Sequence, residues 1–156
     1  DKISVNGVES NELSISGDSS VATFTLPGTL TTPYCIAYPA ANEGEVLFAD
    51  QQSYVEGTFA NGASTMYGYS ENGGGVQMTH LTGVLKIGVV GNATLTYAQI
   101  STVDRAPIAG AFDIDFTTGE VSATSASVPV VNYSFDEGVA LSSEPTLIHV
   151  AVPAGV

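Results

Sequence analysis

The stretch Phe112-Asp113-Ile114-Asp115-Phe116 decides the fold of this chain, because three large apolar residues alternate with two carboxylates. Successive side chains of a β-strand point to opposite faces, so the alternation predicts a strand with one face in a core and the other in water. Thr117-Thr118-Gly119 follows as a turn, and Val121 begins a return strand. A β-hairpin is therefore the first unit of the predicted fold.

Short apolar or alternating runs of the same kind recur along the whole chain, separated by turn residues. The other predicted strands lie at residues 3–5, 13–15, 22–26, 34–38, 66–69, 76–80, 84–90, 95–100, 128–135 and 146–152, and a further possible strand lies within residues 51–59. No segment of ten or more residues keeps a helical period. About ten or more short strands at such spacing are typical of a sandwich or a barrel, so the sequence predicts an all-β fold.

Three local patterns make this expectation more specific. Asn6-Gly7 and Gly17-Asp18 are turn pairs of the kind that join hairpin strands. In 22–26, Ala22, Phe24 and Leu26 share a face that we expect to be buried. Residues 34–38 are apolar on both faces, as in a central strand.

Composition indicates that the chain folds, and its length indicates a single domain. Hydrophobic residues make up 44% of the 156 residues and charged residues 12%, where about 25% charged is usual. Such a chain supplies the core that folding requires. Residues 1–156 are predicted to form a single β-sandwich domain, either complete or part of a longer protein.

Charge disfavours two classes of partner. Three basic residues stand against sixteen acidic ones, giving a net charge of -13, and such a field repels nucleic acid and anionic bilayers. The apolar runs are far shorter than the roughly 20 residues of a membrane span, and no signal peptide opens the chain. We therefore expect no nucleic-acid partner and no membrane-spanning mature form.

Catalytic machinery is not visible in the sequence. Phosphate-binding glycine motifs, metal-spaced Cys or His pairs and nucleophile elbows are all missing. Cys35 lies in an apolar run with no basic neighbour, so it is predicted to be a buried small hydrophobe. His80 and His149 are predicted to be structural. No catalytic, cofactor-binding or metal-ligating residue is assigned, and no cofactor is expected.

Three alternatives stay open beside these predictions. Asp113 and Asp115 point the same way from one strand and could share a calcium ion or act as an acid/base pair, although a solvated strand face is favoured. Residues 73–75, three glycines, form a mobile turn rather than an anion loop, because no lysine follows. A glycan-binding module could use Tyr67, Tyr69 or Tyr97, although Tyr in a strand usually spans core and surface.

The succession of segments along the chain resembles the fimbrillin-like proteins of anaerobic gut and oral bacteria. The segments that carry the resemblance are residues 33–39 (PYCIAYP), 51–52 (QQ), Met66, 78–87 (MTHLTGVLKI), 108–116 (IAGAFDIDF), 119–121 (GEV) and 148–155 (IHVAVPAG). Each piece alone is an apolar strand with a turn. Their order over most of the chain gives the resemblance its specificity.

That resemblance implies a transthyretin-like antiparallel β-sandwich, the N-terminal domain of a surface lipoprotein or type V pilus subunit. Such proteins are exported through the outer membrane as lipoprotein precursors and trimmed by a protease. They form fimbriae, anchor them and adhere, and they perform no chemistry. Subunits join when a strand of one fills a groove in the next, so the implied partners are other fimbrial subunits and a surface receptor.

The chain departs from the family pattern at both ends. Family members usually carry a first strand and a lipid-bearing cysteine before the segment that matches residues 1–7, and Cys35 lies too deep in a strand pattern to be that anchor. They also continue beyond the segment that matches 153–155. We expect a fragment or trimmed form whose sheet lacks terminal strands. A missing strand with about four inward side chains would forfeit roughly 6 to 12 kcal/mol of burial, so an added strand should fill its groove.

Overall fold

The computed structural model describes residues 2–17 and 21–155, and every regular element in that part of the chain is a β-strand. The first eight strands are β1 (Ser4–Val5), β2 (Val8–Glu9), β3 (Glu12–Ile15), β4 (Ala22–Thr25), β5 (Tyr34–Tyr38), β6 (Glu45–Phe48), β7 (Gln51–Ser53) and β8 (Met66–Ser70). The remaining seven are β9 (Thr79–His80), β10 (Thr82–Val89), β11 (Thr94–Ser101), β12 (Ala109–Ile114), β13 (Val121–Val128), β14 (Val130–Ala140) and β15 (Thr146–Pro153). The predicted all-β class is confirmed. A transthyretin-like strand order stays a prediction.

The chain divides into two compact units. The first comprises residues 1–47, 65–81 and 111–124, and the second comprises residues 48–64, 82–110 and 125–156. Three of the unit boundaries fall within β6, β12 and β13, and the other two lie just before β8 and β10.

In the first unit a five-stranded sheet has the order β2-β1-β5-β8-β9. β5 lies between β1 and β8, which confirms the central position predicted from its two apolar faces. Asn6 and Gly7 join β1 to β2 with positive φ values of 52° and 74°. Positive φ at both central residues is what a two-residue hairpin turn requires, so the predicted Asn-Gly turn is confirmed.

The hairpin formed by β3 and β4 is less buried than its sequence predicts. The two strands pair only with each other among the described residues, and Asp18, in the predicted turn between them, lies outside the described residues. Ala22 is exposed, whereas Phe24 and Leu26 are half-buried. A two-stranded ribbon without a third strand shields its apolar face only in part.

The stretch 112–116 has the two faces that its alternation predicts. Phe112, Ile114 and Phe116 are buried, and Asp113 and Asp115 are exposed. The Asp115 N–H donates to the carbonyl of Glu120 at 2.9 Å. This bond lies at the start of the return strand and closes the predicted hairpin.

The second unit is a small two-layer sandwich. One layer is the antiparallel pair β10-β15, and the other has the order β11-β14-β7. Alternate residues of β14 and β15 meet in one hydrophobic core, and its most buried large members are Val131, Tyr133, Phe135, Ile148, Val150 and Val152. The outer faces of both layers therefore carry the residues between these positions.

Two features of this unit concern β7. The strand predicted within residues 51–59 is β7, which ends at Ser53, and beyond it Val55 and Thr58 form an isolated bridge. Gly57 has a φ of 77° within that tight turn, a conformation that glycine adopts readily. In addition, β7 pairs with β14 in parallel.

Candidate strand-pairing site

The pair β10-β15 shows which backbone groups of β10 point away from its partner. In an antiparallel pair, opposite residues alternate between those that exchange two backbone hydrogen bonds and those that exchange none. Ala151 is of the second kind, because its N–H and C=O bond to the Gln52 side chain at 2.9 and 2.7 Å. Val84 lies opposite Ala151, so the backbone groups of Val84 point to the other side of β10. By the same alternation, the backbone N–H and C=O groups of Lys86 and Gly88 also point away from β15.

This outer edge of β10 is free within residues 2–17 and 21–155, where β15 is the only sheet neighbour of β10. Val84, Lys86 and Gly88 each present an N–H and a C=O in one row. Such a row on a sheet edge is a template on which another extended chain can pair. The edge is thus the feature of the second unit best suited to bind a strand.

Leu85 lies on the core-facing side of β10 but is not covered. It stands opposite Val150, and directly opposite residues of two strands share one face. Val150 is 0% exposed, whereas Leu85 is 41% exposed. The difference arises because Val150 has β10 beside it and Leu85 has no described strand beyond it. The rim of this core therefore has room for one more strand.

Charge limits which strands can occupy this edge. Lys86 lies on the outer face of β10 next to Val84, which is 45% exposed. Like charges directly opposite each other destabilise a strand pair, and opposite charges stabilise it. An incoming strand should therefore place a carboxylate or a neutral residue, and not a second lysine, opposite Lys86.

The far side of β15 is closed, in contrast to the open edge of β10. The Gln52 amide takes the place of a paired strand at Ala151, and its Nε2 also donates to the Ala49 carbonyl at 3.0 Å. The Tyr133 hydroxyl donates to the carbonyl of His149 at 3.3 Å. The second unit therefore satisfies one edge of its two-stranded layer with side chains, whereas the other edge has no described neighbour.

A shallow apolar groove of about 490 Å³ lies within the first unit. Its principal lining side chains are Phe24, Tyr34, Ile36, Met66, Val76 and Met78. A Cβ at Gly68 would come within 2.5 Å of Val76 Cγ1 and 2.8 Å of Met78 Sδ, so glycine lets these two side chains lie directly on β8. All six of these side chains are half-buried.

The residues that the sequence singled out for chemistry are not brought together. Cys35 is a half-buried free thiol in β5. Burial raises its pKa, and the Glu43 carboxylate raises it further, so the reactive thiolate is disfavoured. His80 is exposed in β9, whereas His149 is half-buried in β15, with Nδ1 buried and without a hydrogen bond from any described residue.

Asp113 and Asp115 lie on the exposed face of the hairpin as predicted. In the described part of the chain, no three or more His, Cys, Asp or Glu side chains are placed to hold a metal ion. Asp115 instead caps its own turn. Its carboxylate accepts hydrogen bonds from the Thr117 N–H at 2.8 Å and from the Thr117 hydroxyl at 2.6 Å.

Changing Asp115 to Asn should loosen this turn and remove its dependence on pH. Hydrogen bonds from the Thr117 hydroxyl and N–H hold the pKa of Asp115 below its ordinary value. Because the folded pKa is depressed, the stabilisation is present above the unfolded pKa of about 3.9 and is lost as the pH falls through the folded pKa. An NMR titration of the Thr117 amide should show this transition in the parent and not in D115N. The same transition in both proteins would contradict its assignment to the Asp115 carboxylate.

The tyrosines considered for glycan binding have different surroundings. Tyr67 is half-buried and meets Phe116 edge to face with ring centroids 6.4 Å apart. Tyr69 is half-buried in β8, opposite Cys35. Tyr97 in β11 is 54% exposed.

Comparison with known proteins finds no matching family, no matching curated protein and no matching solved structure. The fimbrillin-like resemblance therefore stays a prediction. No described helix is long and apolar enough to cross a membrane.

Proposed function

We propose that this chain is a structural or adhesive subunit of a bacterial cell-surface fimbria that assembles by donor-strand complementation and performs no catalysis. Its partners are other fimbrial subunits and a surface receptor. Its location is the fimbrium, reached by export as a lipoprotein precursor. The observation that carries the proposal is the free outer edge of β10, with the core-facing Leu85 uncovered at the rim.

Strand addition at this edge supplies affinity from the backbone and specificity from side chains. Each new backbone hydrogen bond contributes about 0.5 to 1.5 kcal/mol. Covering the remaining surface of Leu85 adds about 1 kcal/mol, as a fraction of the 1.5 to 3 kcal/mol for burying a whole leucine. Association costs about 4 kcal/mol or more. The balance favours association that depends on concentration.

A proline at position 84 tests the proposal without attacking the fold. The Val84 N–H points away from β15, and proline is tolerated on an edge strand where its missing N–H faces solvent. We expect V84P to remain folded and to lose concentration-dependent assembly, measured by sedimentation velocity over a hundredfold range of concentration. V84A keeps the N–H and should still assemble.

Two outcomes would count against the role of this edge. One is a parent protein that stays monomeric across the whole range of concentration. The other is a V84P variant that assembles as well as V84A. Circular dichroism of both variants verifies that they share the parent's strand content.

A further inference from the structure

The outer face of the layer β11-β14-β7 carries an ordered set of polar side chains. Val131, Tyr133 and Phe135 of β14 point into the core, so the residues between them, Asn132 and Ser134, point outward. Strand register places an outward residue of β11 and one of β7 beside each of them. One row across the three strands is Gln99, Asn132 and Gln51, and the next is Tyr97, Ser134 and Ser53.

Tyr97 is held as a platform on this face. Its hydroxyl donates to Asn132 Oδ1, and Gln99 Nε2 donates to the same oxygen at 3.0 Å. Asn132 lies two residues before Ser134, the cross-strand partner of Tyr97, so the ring leans diagonally over β14. The register shift between Leu95 and Tyr97 marks a bulge, a device that redirects a side chain. An aromatic ring that is 54% exposed is thus fixed in direction.

A polar hollow of about 510 Å³ adjoins this platform. Its lining includes Gln51, Ser53, Asn61, Ser134 and Asp136. The volume lies in the range of small-ligand sites. Gln51, Ser53 and Ser134 belong both to the two rows and to the lining of the hollow, so the hollow lies directly beside the rows that carry Tyr97 and Asn132.

The chemistry of this site selects among ligands. Lysine and arginine are missing from the two rows and from the described lining of the hollow, which disfavours anions. The single carboxylate, Asp136, accepts a hydrogen bond from Ser134 Oγ at 3.2 Å. Each amide offers a donor and an acceptor side by side, which matches neighbouring hydroxyl groups. The negative face of the Tyr97 ring attracts weakly positive C–H groups.

We propose that the outer face of β11, β14 and β7 binds a neutral oligosaccharide, with one sugar ring stacked on Tyr97 and its hydroxyls bonded to Asn132 and Gln51. Among the described residues, Asn132 Nδ2 and the Gln51 amide have no partner, so they are available to a ligand. The site is separate from the edge of β10 and does not rest on strand exchange.

The test uses multivalent arrays of neutral oligosaccharides of mannose, galactose, glucose and N-acetylglucosamine, with sialylated and sulfated counterparts. We expect the parent protein to bind at least one neutral glycan. Y97A should weaken that binding about tenfold, because it removes the aromatic ring on which the sugar stacks. N132A should weaken it by a similar factor.

Q77A serves as the matched control, because Gln77 is an exposed glutamine of the first unit. Its binding should equal that of the parent. Thermal melts identify any variant that fails to fold, and if Y97A is one of them, the comparison of N132A with Q77A decides the test. Absence of binding to every neutral glycan, binding to acidic glycans alone, or equal binding by Y97A and Q77A would overturn the proposal.

Discussion

Replacing Gln52 by alanine is expected to lower the free energy of unfolding by about 3 to 5 kcal/mol. Gln52 is 4% exposed, and Ala151, to which its amide bonds, is 2% exposed. The substitution leaves the N–H and the C=O of Ala151 buried without partners, and each such group costs about 1 to 3 kcal/mol. The bond to the Ala49 carbonyl is lost as well.

The adjacent Gln51 is the matched control. It has the same side chain on the same strand but lies exposed on the opposite face, so Q51A should change stability by less than about 0.5 kcal/mol. Urea unfolding followed by circular dichroism measures both values. A Q52A variant no less stable than Q51A would show that the Gln52 amide does not close the edge of β15.

The second large effect is expected at Tyr133. This side chain is 0% exposed and packs against Phe135 with ring centroids 5.3 Å apart. Y133A should lower the free energy of unfolding by about 3 to 5 kcal/mol, the usual cost of truncating a buried aromatic residue. Y133F keeps the ring and loses the hydroxyl's hydrogen bonds with the His149 carbonyl and the Val55 backbone, so it should cost about 1 to 2 kcal/mol. Equal losses in Y133A and Y133F would contradict this account.

We also expect the protein to lose stability at alkaline pH because the Tyr133 hydroxyl is buried. Burial raises the pKa of Tyr133 above its ordinary value. Because the folded pKa is raised, stability is fully present below the unfolded pKa of about 10. It is lost as the pH rises from there through the folded pKa. Y133F should lose less stability than the parent between pH 9 and pH 11, and identical slopes would contradict the assignment.

The parts of the fold that the sequence predicts well are those that depend on local pattern. The strand at 112–116 follows from the two-residue period of its apolar side chains. The turn at Asn6-Gly7 follows from the ease with which these two residues adopt positive φ. The hairpin around Phe24 is harder to predict, because the burial of its apolar face depends on which elements happen to cover it. Local alternation reports that one face is apolar and not how completely it is shielded.

The candidate site was harder to predict than the strands. Residues 84–90 read as a strand, but nothing in their own sequence tells whether both edges of that strand are paired. Pairing depends on β15, more than 55 residues further along the chain, and on Gln52, whose bonds to Ala151 span 99 positions. The QQ pair at 51–52 gave one usable signal. Successive residues of a strand face opposite sides, so one of the two glutamines had to point inward and find partners.

Amide hydrogen exchange along β10, at two protein concentrations, tests strand pairing at the free edge most directly. In dilute monomer, the amides of Val84, Lys86 and Gly88 should exchange rapidly, while those of Leu85 and Ile87 are protected by β15. At a concentration that supports assembly, the three outward amides should become protected too. Protection of all five amides in dilute monomer, or continued rapid exchange of the outward three in the assembled state, would contradict the account.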